Sequence, residues 1–224
     1  MPGQFIDNLV LPKTEGSGIR VDKNAPTFGW RDIIGKVEIR GVGGTDPAYT
    51  VYRTPVRQFQ FEVNEETFIE FHMPHDYVPG SDIYLHFHWS QNETISNGTG
   101  TDPITGGTVT WGANLSYSKG HQQASFSDPV TALTIQSLTL SGDNLNIYRH
   151  IITEVQASAS TPGTGQLDTD DLEVDGLILA RCYLVSNDMT VATGQVPHPY
   201  LHFVDIHYQS NNMATKNKVP SFYS

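Results

Sequence analysis

The sequence predicts an all-β protein, an antiparallel β-sandwich of the jelly-roll type. Segments rich in Val, Ile, Thr, Tyr and Phe recur along the 224 residues, and clusters of Gly, Pro, Asn and Asp separate them. Several of these segments alternate apolar and polar residues, and none shows sustained apolar residues at helical spacing. Strands of this kind bury their apolar faces most simply as two packed sheets. An up-and-down barrel fits the long connections less well.

The predicted strands fill the middle of the chain. They are 36–41, 49–62, 67–73, 82–90, 107–118, 130–140, 147–157, 175–186 and 199–209. Two long polar connections, 96–107 and 158–176, are predicted as surface loops because they are rich in Gly, Thr and Asp. The expected organisation is an extended N-terminal arm (1–35), a jelly-roll domain (36–210) and a polar C-terminal tail (211–224).

Alternation in strand 82–90 assigns its two faces. One face is apolar and is expected to lie against the core; it carries Ile83, Leu85, Phe87 and Trp89. The other face carries Tyr84, His86 and His88, which are therefore expected to point outward or towards another subunit. The same reasoning places Trp111 in the core.

Composition restricts the function. The net charge is -11, from 13 Lys plus Arg and 24 Asp plus Glu, which disfavours direct binding to nucleic acid and favours a basic protein partner. No apolar run is long enough to span a membrane, and the N-terminal residues do not resemble a signal peptide. The single cysteine, Cys182, lies in an apolar run, so a buried, inert thiol is expected.

The two histidines of strand 82–90 raise the question of a metal site. Side chains at i and i+2 of a strand point the same way, and imidazole is a common metal ligand. The segment resembles the first motif of the cupins, with Gly80, His86, His88, Glu93 and Gly100 at the family's spacing. That resemblance implies His86, His88 and Glu93 as metal ligands. The second cupin motif is missing, however, and the two histidines lie on the less apolar face, so no metal or cofactor is expected.

Strand 199–209 contains a second group of polar residues. Strict alternation puts His207 and Asp205 on one face and His202 on the other, so the three are not expected to bind one ion. A hydrogen-bonded surface pair of His and Asp is the expected arrangement. The acidic run 167–175 lacks the order of a calcium-binding loop and is expected to be solvated.

Four segments together resemble a group of tailed-bacteriophage virion proteins. They are HFHW (86–89), TVTWGANLSY (108–117), GLILARCYL (176–184) and VDIHYQSNNMATKNKVPSFY (204–223). The resemblance covers roughly residues 65–220. It implies jelly-roll subunits that decorate or cement a capsid, or that build neck and tail parts, often as trimers, and it brings no catalytic residues.

The sequence therefore predicts a non-enzymatic capsid decoration or cement subunit. Its expected partners are copies of itself, as a homotrimer, and the major capsid protein or other virion proteins, without direct contact to nucleic acid or membrane. Candidate subunit-interface residues are Tyr84, His86, His88 and His207. The alternatives are a cupin-like metal-binding protein or metalloenzyme, and a phage neck, tail or carbohydrate-binding module, which requires an exposed aromatic platform.

Overall fold

The computed structural model describes residues 28–39, 46–91, 104–121, 124–128, 133–135, 140–192 and 194–211. These residues form strands and two short 3-10 helices, Gly142–Leu145 and Thr169–Asp171. The strands are β1 Gly29–Lys36, β2 Ala48–Arg53, β3 Val56–Gln60, β4 Glu66–His72, β5 Tyr84–Ser90, β6 Ile104–Gly106, β7 Val109–Ser118, β8 Leu133–Ile135, β9 Ile151–Gln156, β10 Ser158–Ala159, β11 Leu167–Asp168, β12 Leu177–Asn187, β13 Thr190–Val191 and β14 Tyr200–Ser210.

Two antiparallel sheets make up most of the architecture. The first sheet has the order β2-β3-β14-β5-β9, and β1 also pairs with β14. The second sheet has the order β4-β12-β7-β8. Two small strand pairs, β10–β11 and β13–β6, complete the described pairing. The predicted fold class, an all-β antiparallel sandwich, is confirmed, and the strand order is compatible with a jelly roll.

Aromatic side chains from both sheets form the centre of the core. Trp111 of β7 stacks on Phe87 of β5 at a ring-centroid distance of 5.5 Å and meets the edge of Phe61 at 5.4 Å. Trp89 lies 6.4 Å from the same indole. All four are fully buried, as the alternation of their strands predicted for Phe87, Trp89 and Trp111. Trp89 and Trp111 therefore cannot form the exposed platform that a carbohydrate-binding module requires.

The N-terminal boundary differs from the prediction. Residues 29–36, assigned to an arm, form β1, which pairs along its whole length with β14 from Gly29↔Ser210 to Lys36↔Phe203. The strand predicted at 36–41 is therefore shifted. Gly35 makes the packing of β1 possible, because a Cβ there would clash with Ile69 and Phe71 of β4. The remainder of the predicted arm, 1–27, and the tail from 212 lie outside the described residues.

Two other predicted segments are subdivided. The segment 49–62 is a hairpin, with β2 and β3 separated by Thr54 and Pro55. The predicted loop 158–176 carries β10, β11 and a 3-10 helix. Among the described residues, no helix is long and apolar enough to cross a membrane.

Candidate functional site

Strand pairing in the first sheet assembles a polar cluster on its outer face, the face turned away from the core. β5 lies between β14 and β9, so each of its outward residues has a partner on either side. His86 is opposite Asp205 of β14 and Glu154 of β9. Directly paired residues point to the same face. The three side chains therefore form one row across the sheet, and His88 begins the next row.

The centre of this group is the His–Asp cluster, which consists of His86, His88 and Asp205. His86 Nδ1 lies 3.2 Å from Asp205 Oδ1, and His88 Nε2 lies 2.9 Å from Asp205 Oδ2. The three residues are only 8%, 7% and 3% exposed although they lie outside the core. Phe203 covers part of the cluster by stacking on the His88 ring at 4.1 Å.

The second nitrogen of each imidazole also has a partner. His86 Nε2 lies 2.7 Å from Glu154 Oε2, and His88 Nδ1 lies 2.8 Å from His150 Nε2. These contacts fix the orientation of both rings. They also decide which nitrogen of each ring faces Asp205, namely Nδ1 of His86 and Nε2 of His88.

Electrostatic interactions within the cluster favour the charged forms of Asp205 and His86. Burial acts to raise the pKa of Asp205, but the contacts with His86 and His88 outweigh burial and hold that pKa at about 2. The pKa of His86 is raised, chiefly by the Asp205 carboxylate and further by Glu154, against the opposing effect of burial. Asp205 is therefore a buried carboxylate that stays ionised at neutral pH.

A β-bulge places a further histidine on the same face. Leu201 pairs with Trp89 and Phe203 pairs with His88, so one extra residue, His202, is accommodated between them. Its Nε2 lies 2.8 Å from the Ser90 hydroxyl. The prediction that His202 lies on the inner face is wrong because strict alternation ends at the bulge.

The interface candidates Tyr84 and His207 lie beside the cluster. They are paired across β5 and β14, and with Trp30 and Glu154 they line a pocket of about 310 Å³. The His207 ring meets the edge of the His86 ring at 4.9 Å, and its Nδ1 lies 3.3 Å from Asp32 Oδ1. The pocket therefore adjoins the buried histidines.

The structure thus brings together two of the three residues that the cupin resemblance implied as metal ligands, and it supplies a different third group. His86 and His88 share Asp205, whereas Glu93 lies outside the described residues. The sequence analysis did not identify Asp205, Glu154 or His150 as neighbours of His86 and His88. The alternation of β14 placed Asp205 and His207 on one face, but only strand pairing shows which neighbour they meet.

Other candidates have structural roles. Cys182 is fully buried, and burial raises the pKa of its thiol to about 12. In the acidic run, Asp175 contacts His72 at 2.7 Å and Asp171 contacts Lys119 at 3.5 Å. A larger apolar depression of about 500 Å³ lies on the second sheet, far from the histidines in the fold, and its lining includes Leu179. Nothing among the described residues shows what covers it.

The cluster contains donors suited to a transition-metal ion. One ligand atom from each of His86, His88 and Asp205 lies within 4.8 Å of the others, and the same is true of Asp32, His86 and His207. Imidazole nitrogen and carboxylate oxygen together suit Zn²⁺ and Fe²⁺. In the absence of an ion, the same side chains form a buried network of close polar contacts.

Comparisons with known proteins do not identify a family. No family model and no curated protein match the sequence. Among solved structures, the chain is similar to the CBM22-1–GH10 modules of Clostridium thermocellum xylanase 10B in complex with xylohexaose, with 12% identity and a TM-score of 0.32 over 84% of this chain and 28% of that one. Dimeric latent PorU from Porphyromonas gingivalis gives 12% identity and a TM-score of 0.30 over 89% of this chain and 14% of that one.

A third solved structure is the stem and receptor-binding domain of the spike protein P1 from bacteriophage PM2. It is 10% identical, with a TM-score of 0.26, over 74% of this chain and 66% of that chain. The chain spans less than a third of the length of each of the first two structures. TM-scores this low assign neither a fold family nor a function.

Proposed function

We propose that the protein is a non-enzymatic structural subunit of a virion, a capsid decoration or cement subunit that binds the major capsid protein. The observation that supports this function is a group of large apolar side chains exposed on β1, β2 and β3. They are Trp30, Ile34, Tyr49, Val51 and Val56. The strand register places Trp30, Ile34 and Val56 on the outer face and Tyr49 and Val51 on the opposite face, so together they flank the outer edge of the sheet. Single exposed apolar residues are normal in a monomer, whereas several along one edge favour binding to another protein.

The position of these side chains fits an edge-to-edge contact. β1 and β3 both pair with the side of β14 that faces away from β5, β3 at the start of β14 and β1 along the rest. β2 pairs with the far side of β3 and is the outermost strand there. Ile34 is 66% exposed and Val56 is 52% exposed. An edge that carries apolar side chains and unpaired backbone groups favours association, and closed symmetric packing would cover it. A homotrimer is the arrangement that the phage resemblance implies.

The segments that resemble phage virion proteins lie in the two main sheets of this chain. The four quoted segments contribute to β5, β7, β12 and β14, each of which is paired on both sides within its sheet. The net charge of -11 favours a basic surface on the capsid partner.

Oligomeric state is the first test of this proposal. We expect the purified chain to elute as a trimer in size-exclusion chromatography with light scattering. The double variant Val51→Lys/Val56→Lys should dissociate, because it places two charges in the proposed contact. Val185→Lys is the matched control, since Val185 is an exposed valine of the second sheet, and it should remain trimeric. A wild-type monomer at about 100 µM, a typical concentration for weak assembly, would contradict the trimer.

Association with particles tests the virion assignment itself. Particles purified from an infected culture that produces this chain should contain it by mass spectrometry and should bind gold-labelled antibody on their surface. Particles that lack the chain, while the lysate contains it, would overturn the proposal.

A further inference from the structure

We propose that the His–Asp cluster is a binding site for one divalent transition-metal ion of the Zn²⁺ class. The ligands are His86 Nδ1, His88 Nε2 and a carboxylate oxygen of Asp205, which are the atoms that face one another in the cluster. This site does not depend on the proposed virion function, because all three ligands come from one chain.

Two polar atoms of the cluster are buried without a hydrogen bond. His88 Nε2 and Asp205 Oδ1 lie close to other polar atoms, yet neither has a hydrogen-bond partner of acceptable geometry in the described structure. A buried polar atom left in this state is costly, on the order of 1–3 kcal/mol in general. A cation between the three side chains would satisfy both atoms at once.

The outer partners of the histidines match those of metal-bound imidazoles. A metal-ligating histidine usually donates its other N–H to a neighbouring acceptor, which fixes the tautomer and the ring orientation. His86 Nε2 can donate to the Glu154 carboxylate at 2.7 Å, and His88 Nδ1 can donate to His150 Nε2 at 2.8 Å. In these tautomers His86 Nδ1 and His88 Nε2 would present their lone pairs to a cation bound beside the Asp205 carboxylate, in place of the ring protons that face it when no ion is bound.

The alternative group of donors is less suited to an ion. Asp32, His86 and His207 also lie within reach of one another, but they share His86 with the first site. The side chains of Asp32 and His207 are 50% and 30% exposed, whereas that of Asp205 is 4% exposed. Water competes for exposed ligands, so the buried donors form the stronger site.

The donor set favours zinc and related ions over calcium and magnesium. Two imidazole nitrogens and one carboxylate oxygen suit Zn²⁺, Co²⁺ and Fe²⁺, whereas Ca²⁺ and Mg²⁺ prefer oxygen ligands alone. Three protein ligands leave at least one coordination position. The adjoining pocket of Trp30, Tyr84, Glu154 and His207 provides room for water beside it. The ion would link β5 to β14, the two central strands of the first sheet.

Direct titration with Zn²⁺ and Co²⁺ tests the site. The full chain is freed of metal with a chelator, dialysed, titrated against a chromophoric competitor and analysed for bound metal. We expect about one Zn²⁺ per chain, and visible absorption bands on Co²⁺ loading that report nitrogen and oxygen ligands. His88→Ala and Asp205→Asn should each weaken binding by more than about 100-fold, because the first removes a direct ligand and the second replaces an anionic carboxylate with a neutral amide.

Two further variants separate a metal site from a structural network. His150→Ala leaves all three ligands in place, so it should weaken binding by about 10–100-fold while the Co²⁺ bands persist. His198→Ala removes an exposed histidine that lies 3.9 Å from Glu62, and it should bind metal like the wild type. Circular dichroism verifies that each variant folds. If Asp205→Asn does not fold, the metal affinities of His88→Ala and His150→Ala, compared with that of the wild type, test the site.

The outcomes are decisive in both directions. Wild-type binding no tighter than that of His88→Ala, or equal losses in His88→Ala and His198→Ala, would overturn the proposal and leave an ion-pair network. Stoichiometric binding in the monomeric Val51→Lys/Val56→Lys variant would support the site, and it would show that metal binding and assembly are separate properties.

Discussion

Replacing Gly35 with alanine tests whether β1 belongs to the sandwich or to a separate arm. Gly35 faces β4, and a Cβ built there would lie 2.7 Å from Phe71 Cε1 and closer still to Ile69. Phe71 is fully buried and Ile69 is 4% exposed, so neither side chain can move aside into solvent. Overpacking of this kind generally costs about 1–3 kcal/mol.

A smaller effect opposes the clash. Alanine reduces the conformational entropy of the unfolded chain, which by itself stabilises a protein by about 0.4–1 kcal/mol. The expected net loss for Gly35→Ala is therefore about 1–2 kcal/mol. For a chain of this size that corresponds to a decrease in Tm of roughly 2–8 °C.

The assay is urea unfolding followed by tryptophan fluorescence, with thermal unfolding as a second measurement. Gly163→Ala is the matched control, because its Cβ would meet only the flexible end of Gln166, at 3.1 Å. We expect the control to be neutral or slightly stabilised. Equal stabilities of Gly35→Ala and Gly163→Ala would refute the packing of β1 against β4 and would restore the arm predicted from the sequence.

Two further predictions concern titratable groups. Cys182 should resist iodoacetamide at pH 8 until the protein is unfolded, because burial raises its pKa to about 12; rapid labelling of the folded chain would contradict its position in the core. Burial, followed by the nearby His150 and His88, lowers the pKa of His202 to about 4, while Tyr52 contacts its ring. The native state therefore binds fewer protons than the unfolded chain between pH 6.5 and about 4, and stability should fall by about 1–3 kcal/mol as the pH decreases through this range. In urea titrations at pH 7 and 4.5, His202→Gln should lose less stability than the wild type, and an unchanged loss would exclude His202 as the cause.

Local sequence patterns were sufficient to assign side chains to the inner or outer face wherever apolar and polar residues alternate strictly. In β5 the period of two separated Phe87 and Trp89 from His86 and His88, because successive strand residues point to opposite faces. The same rule failed at His202, where a bulge adds one residue to β14. β1 was missed because its sequence, GWRDIIGK, contains two glycines and three charged residues, which weaken the signal of a strand.

The composition of the candidate site could not be read from local patterns. His86 and Asp205 are more than a hundred residues apart in the sequence, and they meet because β14 pairs with β5 in one particular register. Glu154 joins them only because β9 pairs with the other side of β5. Periodicity assigns a residue to a face, whereas the neighbours on that face depend on strand order, which is a property of the whole chain.

The His–Asp cluster also favours that register between β5 and β14 over alternative registers. A shift of one residue between β5 and β14 would turn Asp205 towards the core, where Phe87 and Trp111 pack. An ionised carboxylate in that environment would lack both imidazole partners, and burying an unpaired charge is strongly unfavourable. The apolar residues of β14 oppose the same shift, since Val204 and Ile206 would turn outward. The buried polar face and the apolar face of β14 therefore specify one pairing together, and a bound ion would strengthen that pairing without being needed to define it.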